Sequence, residues 1–399
     1  MSAWRRRIRS SEPLEIERGP TEPPEVLMPG NPQRWIALLG RRDGPTDGVA
    51  DYCTHLGAAL GLHDCELETV RVPWPERGWG AALADLRRRA EDWRGRWVLL
   101  QYTALGWSRR AFPLRFLQVL RVLRHNGARC VIVFHDVLPY GGSRMVDRLR
   151  RTCQLWVMRT AYRRTDRSVL PVSLDQVTWL PPRPTKAAFI PIGANLPPVA
   201  ANPGNARASH GERTVAVYGV TGEPATLSEV RDISHVLKLA RARVENLRLV
   251  VFGRGSAEAE PALRQELGGS GIETLVLGLL PPEDLATELT QADVLLFVRG
   301  GVSSRRGSAL AGIACGLPVV GYRSEETAFP VTEAGVVLVA PQDRDSLAEA
   351  LVRVLADDDW RQQLRTRSCA AQKQYFSWEV ISGLFLDLLG RHADRGADQ

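Results

Sequence analysis

Lysine is almost missing from this sequence. Of 52 basic side chains, Lys186, Lys238 and Lys373 are lysine and the rest are arginine. A bias in base composition explains that ratio without a functional cause, but it leaves the planar guanidinium fork as the main cationic chemistry on offer. Cysteine is scarce too. Cys53, Cys65, Cys130, Cys153, Cys315 and Cys369 form no Cys-x-x-Cys pair and no Cys/His cluster. This excludes a structural zinc, and several of the six sit in apolar runs as small core residues, so a reducing cytosol is expected. No metal constellation is visible; Asp357-Asp358-Asp359 reads as a helix cap. No apolar run reaches the ~18–20 residues that a bilayer-spanning helix needs. The basic N-terminal segment is not followed by an apolar one, so a secretory signal is not expected.

What is present is an ordinary globular composition, 44% hydrophobic and 24% charged, over 399 residues. That length favours two domains. The net charge of +7 suits nucleic acid, an anionic membrane face or phosphorylated small molecules. Nucleic acid is disfavoured, because the basic residues are not interleaved with aromatics in a recognisable module.

Apolar strands alternate with amphipathic segments along most of the chain. Residues 1–32, Arg- and Pro-rich, read as a mobile leader. Strands are expected at 35–39, 65–72, 97–101, 130–134, 168–172 and 188–192, with helices at 49–60, 76–93, 113–125 and 145–164 between them. Residues 201–212, rich in Asn, Gly and Ala, read as a linker. The alternation then restarts, with strands at 214–218, 247–252, 274–277, 294–298, 319–320 and 336–339 and helices to 389. Two α/β domains are therefore expected, 33–200 and 213–372, with parallel sheets covered on both faces, followed by a C-terminal helical segment, 373–399, that returns to the first domain.

One stretch carries the most chemistry. A buried strand at 294–298 runs into a Gly/Ser/Arg loop with Ser303, Ser304, Arg305 and Arg306, and a small-residue helix opens at Gly307 or Ser308. A helix start offers unpaired backbone N–H groups to an anion, and an adjacent arginine adds a bidentate fork, so the loop suits a diphosphate. Arg254, between Gly253 and Gly255 after another strand, can reach the same anion from a second side. His135 ends a buried strand with Asp136 beside it, where ligands of such sheets bind. The arginines of 144–167, mixed with Met145, Leu149 and Trp156, make a basic amphipathic helix that fits either a sheet face or an anionic membrane.

These pieces together resemble the bacterial family 4 retaining glycosyltransferases. The resemblance rests on Asp47-Gly-Val-Ala-Asp-Tyr52, Val131-Ile-Val-Phe-His-Asp136, Phe189-Ile-Pro-Ile-Gly-Ala-Asn195, Ala292-Asp-Val-Leu-Leu296 and Ala314-Cys-Gly-Leu-Pro-Val-Val320, in that order over residues 35–390. It implies a GT-B fold: α/β, two doubly wound Rossmann-like domains with an interdomain cleft. It implies retaining, metal-independent transfer of a sugar from a nucleoside diphosphate sugar to a glycan or lipid-linked acceptor, with no resident cofactor, in a protein that is cytosolic or else peripheral on the inner face of the plasma membrane. His135, Arg305 and Arg306 would be catalytic, and Asp47 and Asp136 would face the acceptor. Gly48, Gly219, Arg254, Leu279, Ser303, Ser304, Gly307 and Ser308 would line the donor site, with the base against the Gly278-Leu279-Leu280-Pro281 loop. The chain departs from the pattern at two places. Ser303 and Ala311 stand where the family has glutamates, and Gly219-Val-Thr-Gly222 replaces its basic phosphate turn. Arg305 and Arg306 are expected to take over the missing cations. A catalytically silent paralogue serving as scaffold or partner subunit is the alternative.

Overall fold

The computed structural model describes residues 33–197, 211–221 and 225–390. The expected leader and most of the expected linker lie outside the described residues.

The first half alternates β1 (Gln33–Leu39), α1 (Gly48–Gly61), β2 (Cys65–Arg71), α2 (Trp74–Glu91), β3 (Trp97–Tyr102), α3 (Phe116–His125), β4 (Arg129–Phe134), α4 (Met145–Arg164), β5 (Arg167–Leu170) and β6 (Ala187–Phe189). All six strands are parallel, in the order β2-β1-β3-β4-β5-β6. Every residue of β3 is buried, as a strand covered by helices on both faces must be. The first three residues of the segment expected to be helical from 113 form a tight turn instead, and α3 starts at Phe116. β6 stops at Phe189, two residues before Pro191, which has no N–H for a ladder.

The second half contains β7 (Glu212–Tyr218), α5 (Thr226–Arg241), β8 (Asn246–Phe252), α6 (Ser256–Leu267), β9 (Glu273–Gly278), α7 (Pro282–Gln291), β10 (Val294–Gly301), α8 (Gly307–Ala314), β11 (Val319–Tyr322), β12 (Val336–Val339), α9 (Arg344–Ala356) and α10 (Asp358–Ala371). Its parallel sheet is ordered β12-β11-β10-β7-β8-β9. The chain therefore builds outward from β7 through β8 and β9, jumps back, and builds outward again from β10. That reversal leaves a crevice at the carboxyl ends of β7 and β10, where ligands of doubly wound sheets bind. In the first half the same reversal falls between β1 and β3.

Asp47 caps α1 by accepting from the Ala50 N–H, and Asp357 caps α10 by accepting from Trp360. The last helix, α11 (Trp378–Gly390), lies against the first half. Ile381, Phe385 and Leu389 share a buried core with Trp35, Tyr52 and Leu56, and the Trp97 indole donates to the Leu389 carbonyl at 3.1 Å. The buried cysteines Cys53, Cys65, Cys130 and Cys315 have thiols pushed up to about 12 by burial, so they behave as core residues. Among the described residues no helix is long and apolar enough to cross a membrane, and no three His, Cys, Asp or Glu side chains are placed to hold a metal.

Candidate functional site

The carboxyl ends of the two sheets face one cavity of about 650 Å³. Its walls differ in charge. The second half contributes Arg254, Arg299, Arg305 and Arg306 and no carboxylate, whereas the first half contributes Asp43, Asp47, Asp51 and Asp136 along with Arg41 and Arg71.

On the cationic wall, Arg306 and Arg305 both line the cavity, together with Gly307 and Ser308 at the start of α8. Arg306 is the residue preceding that helix, and no side chain caps it, so the first N–H groups of α8 remain available to a bound anion. The Nε of Arg306 is buried without a hydrogen-bond partner among the described residues. Burial first, and then the like charges of Arg305 and Arg299, push its guanidinium pKa down, with Glu326 opposing. Arg305 is differently placed: its Nε donates to both carboxylate oxygens of Glu326 at 2.8 Å. Arg299 comes from the end of β10 and donates to the Thr221 hydroxyl at 3.3 Å. Its guanidinium lies over Gly219, where an added Cβ would come within 2.6 Å of Nη1. With φ at +78°, that position favours glycine for two reasons.

On the acidic wall, His135 presents a half-buried ring at the end of β4. Its Nε2 is 2.8 Å from the Gln101 Oε1, and Tyr52 meets it edge-on at 5.0 Å. Burial lowers its pKa to about 4, so the imidazole is neutral near pH 7. Asp136 accepts from the Ala104 N–H at 2.7 Å. Burial raises its pKa, and that hydrogen bond and Arg305 pull it back. Asp47 is held by the α1 cap and by Arg71 at 3.0 Å. Gly48 lines the cavity beside it, its carbonyl accepting from Asn195 at 2.9 Å.

Arg254 reaches across the cleft. It pairs with Asp43 at 2.9 Å and also donates to the Thr46 carbonyl and hydroxyl, fastening the end of β8 to the β1–α1 loop. The exposed Leu279 and the half-buried Leu280 form a lip on the cavity. Two expected donor residues do not face it. Ser303 is fully buried with its hydroxyl toward Glu326, and Ser304 donates its hydroxyl to the Pro171 carbonyl of the first half, while its own carbonyl accepts from Ile192. The loop turns these two hydroxyls inward to satisfy buried polar groups, which corrects their assignment as donor contacts. Gly219 acts by making room for Arg299, beneath the cavity wall rather than on it.

Sequence reasoning missed Arg299, Glu326 and Asp51. Arg299 was findable only from the strand order, because it stands at the reversal point between β7 and β10. Glu326 lies in the turn after β11, far along the chain from the arginine it holds.

Residues 217–357 match the family model described as Glycosyl transferases group 1. The full two-sheet fold matches Anabaena HepE, solved with UDP and glucose, at a TM-score of 0.64 with 14% identity, covering 90% of this chain and 100% of that one. The fold is GT-B, and the family match lies within its second half. A second GT-B likeness is to a sucrose-phosphate synthase from Thermosynechococcus elongatus: TM-score 0.64, 20% identity, 90% of this chain and 98% of that one. A GDP-mannose-dependent monoacylated alpha-(1-6)-phosphatidylinositol monomannoside mannosyltransferase of Corynebacterium glutamicum is 28% identical over 141 residues. That match spans 34% of this chain and 37% of the relative, little more than a third of its length. The GT-B frame gives the two walls of the cavity their meaning: both sheets point their carboxyl ends at one crevice, and the chain's own charges divide it.

Proposed function

We propose that this protein transfers a sugar from a nucleoside diphosphate sugar to a hydroxyl acceptor in the assembly of a polysaccharide or glycolipid. The observation that carries the reading is the divided cleft, with four arginines and an open helix start on one wall and carboxylates with a neutral histidine on the other. The diphosphate sits on the cationic wall, with Arg299 and Arg306 as its forks and the Gly307 and Ser308 amides beneath it. Arg305, held by Glu326, contributes a weaker field. The sugar projects toward His135 and Asp136, whose polar atoms suit hydroxyl groups. The bond from the anomeric carbon to the phosphate oxygen breaks as the bond to the acceptor oxygen forms on the same face. The acceptor proton passes to the leaving diphosphate, and configuration is retained. Arginines and backbone amides offset the charge that grows on the leaving group, so the scheme requires neither a resident metal nor a cofactor. The names of the Corynebacterium relative and of the HepE complex, with GDP-mannose, a phosphatidylinositol mannoside and UDP among them, support this donor class and a lipid-linked or glycan acceptor.

The test is a panel of UDP-, GDP- and ADP-sugars with lipid and glycan acceptors, following release of the nucleoside diphosphate. One donor is expected to turn over, and Arg306→Ala to lower that turnover by about 10²-fold. If no nucleoside diphosphate raises the melting temperature and no donor is consumed, the silent-paralogue reading stands instead. Ser303, Ala311 and the lack of a carboxylate on the cationic wall are what favour that second reading.

A further inference from the structure

We propose that the first half docks on an anionic lipid bilayer through the outer face of α4 and the two loops beside its start. Met145, Leu149 and Trp156 recur at helical spacing and are 87%, 61% and 52% exposed. Side chains of this size on a helix packed against a sheet are normally turned inward; here the inward face is made by Gln154, Val157, Met158 and Ala161 instead. Arg148, Arg151, Arg159 and Arg163 are exposed along the same outer side, and Arg148, Arg151 and Arg159 form no ion pair among the described residues. The one acid of α4, Asp147, is buried and paired with Arg150 at 2.8 Å. The outer side of α4 therefore combines apolar and cationic residues and presents no negative charge, the pattern of a helix lying in the interface of an acidic membrane. Four like charges along one side, with no acid among them, suit an extended anionic surface.

The patch extends toward the cleft. Arg150 donates to the Arg110 carbonyl and lies over the rings of Tyr140 and Phe112, and Gln154 bonds both the Ala111 carbonyl and the Tyr140 N–H. These contacts fasten the β3–α3 and β4–α4 loops to α4. The same loops expose Leu105, Leu114, Leu138 and Tyr140, and Leu105 also lines the cavity. The apolar rim thus runs from the membrane-facing helix to the mouth of the cleft. An amphiphile in the bilayer can enter on this side without leaving the interface entirely.

Vesicle binding tests this separately from nucleotide binding. The full chain is mixed with vesicles of phosphatidylcholine alone or of phosphatidylcholine with phosphatidylglycerol, and the sedimented fraction is measured against salt. Binding is expected with the anionic vesicles, weakening as salt rises. The R148E/R151E/R159E variant should lose about fivefold or more per arginine in partitioning. Replacement of Leu149 and Trp156 by glutamine should also weaken binding, and the control Arg231→Glu on α5 should not. All variants should keep the wild-type melting temperature and response to nucleoside diphosphate, since none lies in the cleft. Failure of the wild type to bind anionic vesicles, equal binding to neutral ones, or unchanged binding by the triple arginine variant overturns the proposal. A failure confined to nucleotide binding would bear on the transferase reading alone.

Discussion

Arg306 is held in a way that a purely structural arginine would avoid. Its buried Nε has no partner among the described residues, and two neighbouring arginines add repulsion. A guanidinium so placed gains from any anion that reaches it, and an unmade buried hydrogen bond costs about 1–3 kcal/mol. His135 shows the opposite logic, because burial keeps it neutral. Its pKa falls from 6.5 to about 4 in the folded protein, so the unfolded chain takes up this proton first as the pH drops. The stabilisation is complete above about 6.5 and is lost as the pH falls toward about 4, with a total on the order of 3 kcal/mol. Asp136, raised by burial, works with the opposite sign, so the difference from a variant is the useful reading. We predict that His135→Gln flattens the pH dependence of the urea midpoint in that window; an unchanged slope would show that the imidazole is not desolvated. Arg305 and Arg306 were legible in the sequence because they directly precede a helix of small residues. The pairing of Arg305 with Glu326 was not, because two loops far apart in sequence make it.

The elements themselves were readable from their apolar spacing, since strands covered on both faces must be continuously hydrophobic and the helices between them must be amphipathic. What spacing cannot show is strand order, and the site depends on it. The reversal between β7 and β10 brings Gly219 under Arg299, although nothing local to either residue announces the contact. Gly219→Ala tests that junction. A Cβ there must displace the guanidinium in a backbone conformation that alanine resists, costing roughly 1 kcal/mol of stability. Nucleoside diphosphate affinity should fall by about tenfold as Arg299 moves, a change one misplaced charged hydrogen bond can produce. Calorimetric titration checks it: wild-type affinity in Gly219→Ala would mean that Arg299 is not a ligand. The loop before α8 was misread in one respect. Its serines looked like polar contacts for a donor, but buried carbonyl and carboxylate groups claim both hydroxyls.

At the scale of the whole molecule, two sheets of the same design face each other across a cleft whose walls carry unlike charge. Arg254 bridges the walls to Asp43 and Thr46, and α11 adds its buried face to the first half. On the proposed reading, the division of charge sets a diphosphate against the second half and leaves the first half to hydroxyl groups, beside the exposed apolar rim of α4. The most direct measurement is calorimetric titration of UDP, GDP and ADP into the wild type and into an Arg299→Ala/Arg306→Ala variant, with melting temperatures recorded for both. The account predicts that one nucleoside diphosphate binds the wild type. It also predicts that the double variant loses at least about 10²-fold in affinity while its own melting temperature is maintained or raised, because a buried repulsion has been removed. Equal affinity in the two proteins would contradict the central claim that these guanidinium groups hold the diphosphate.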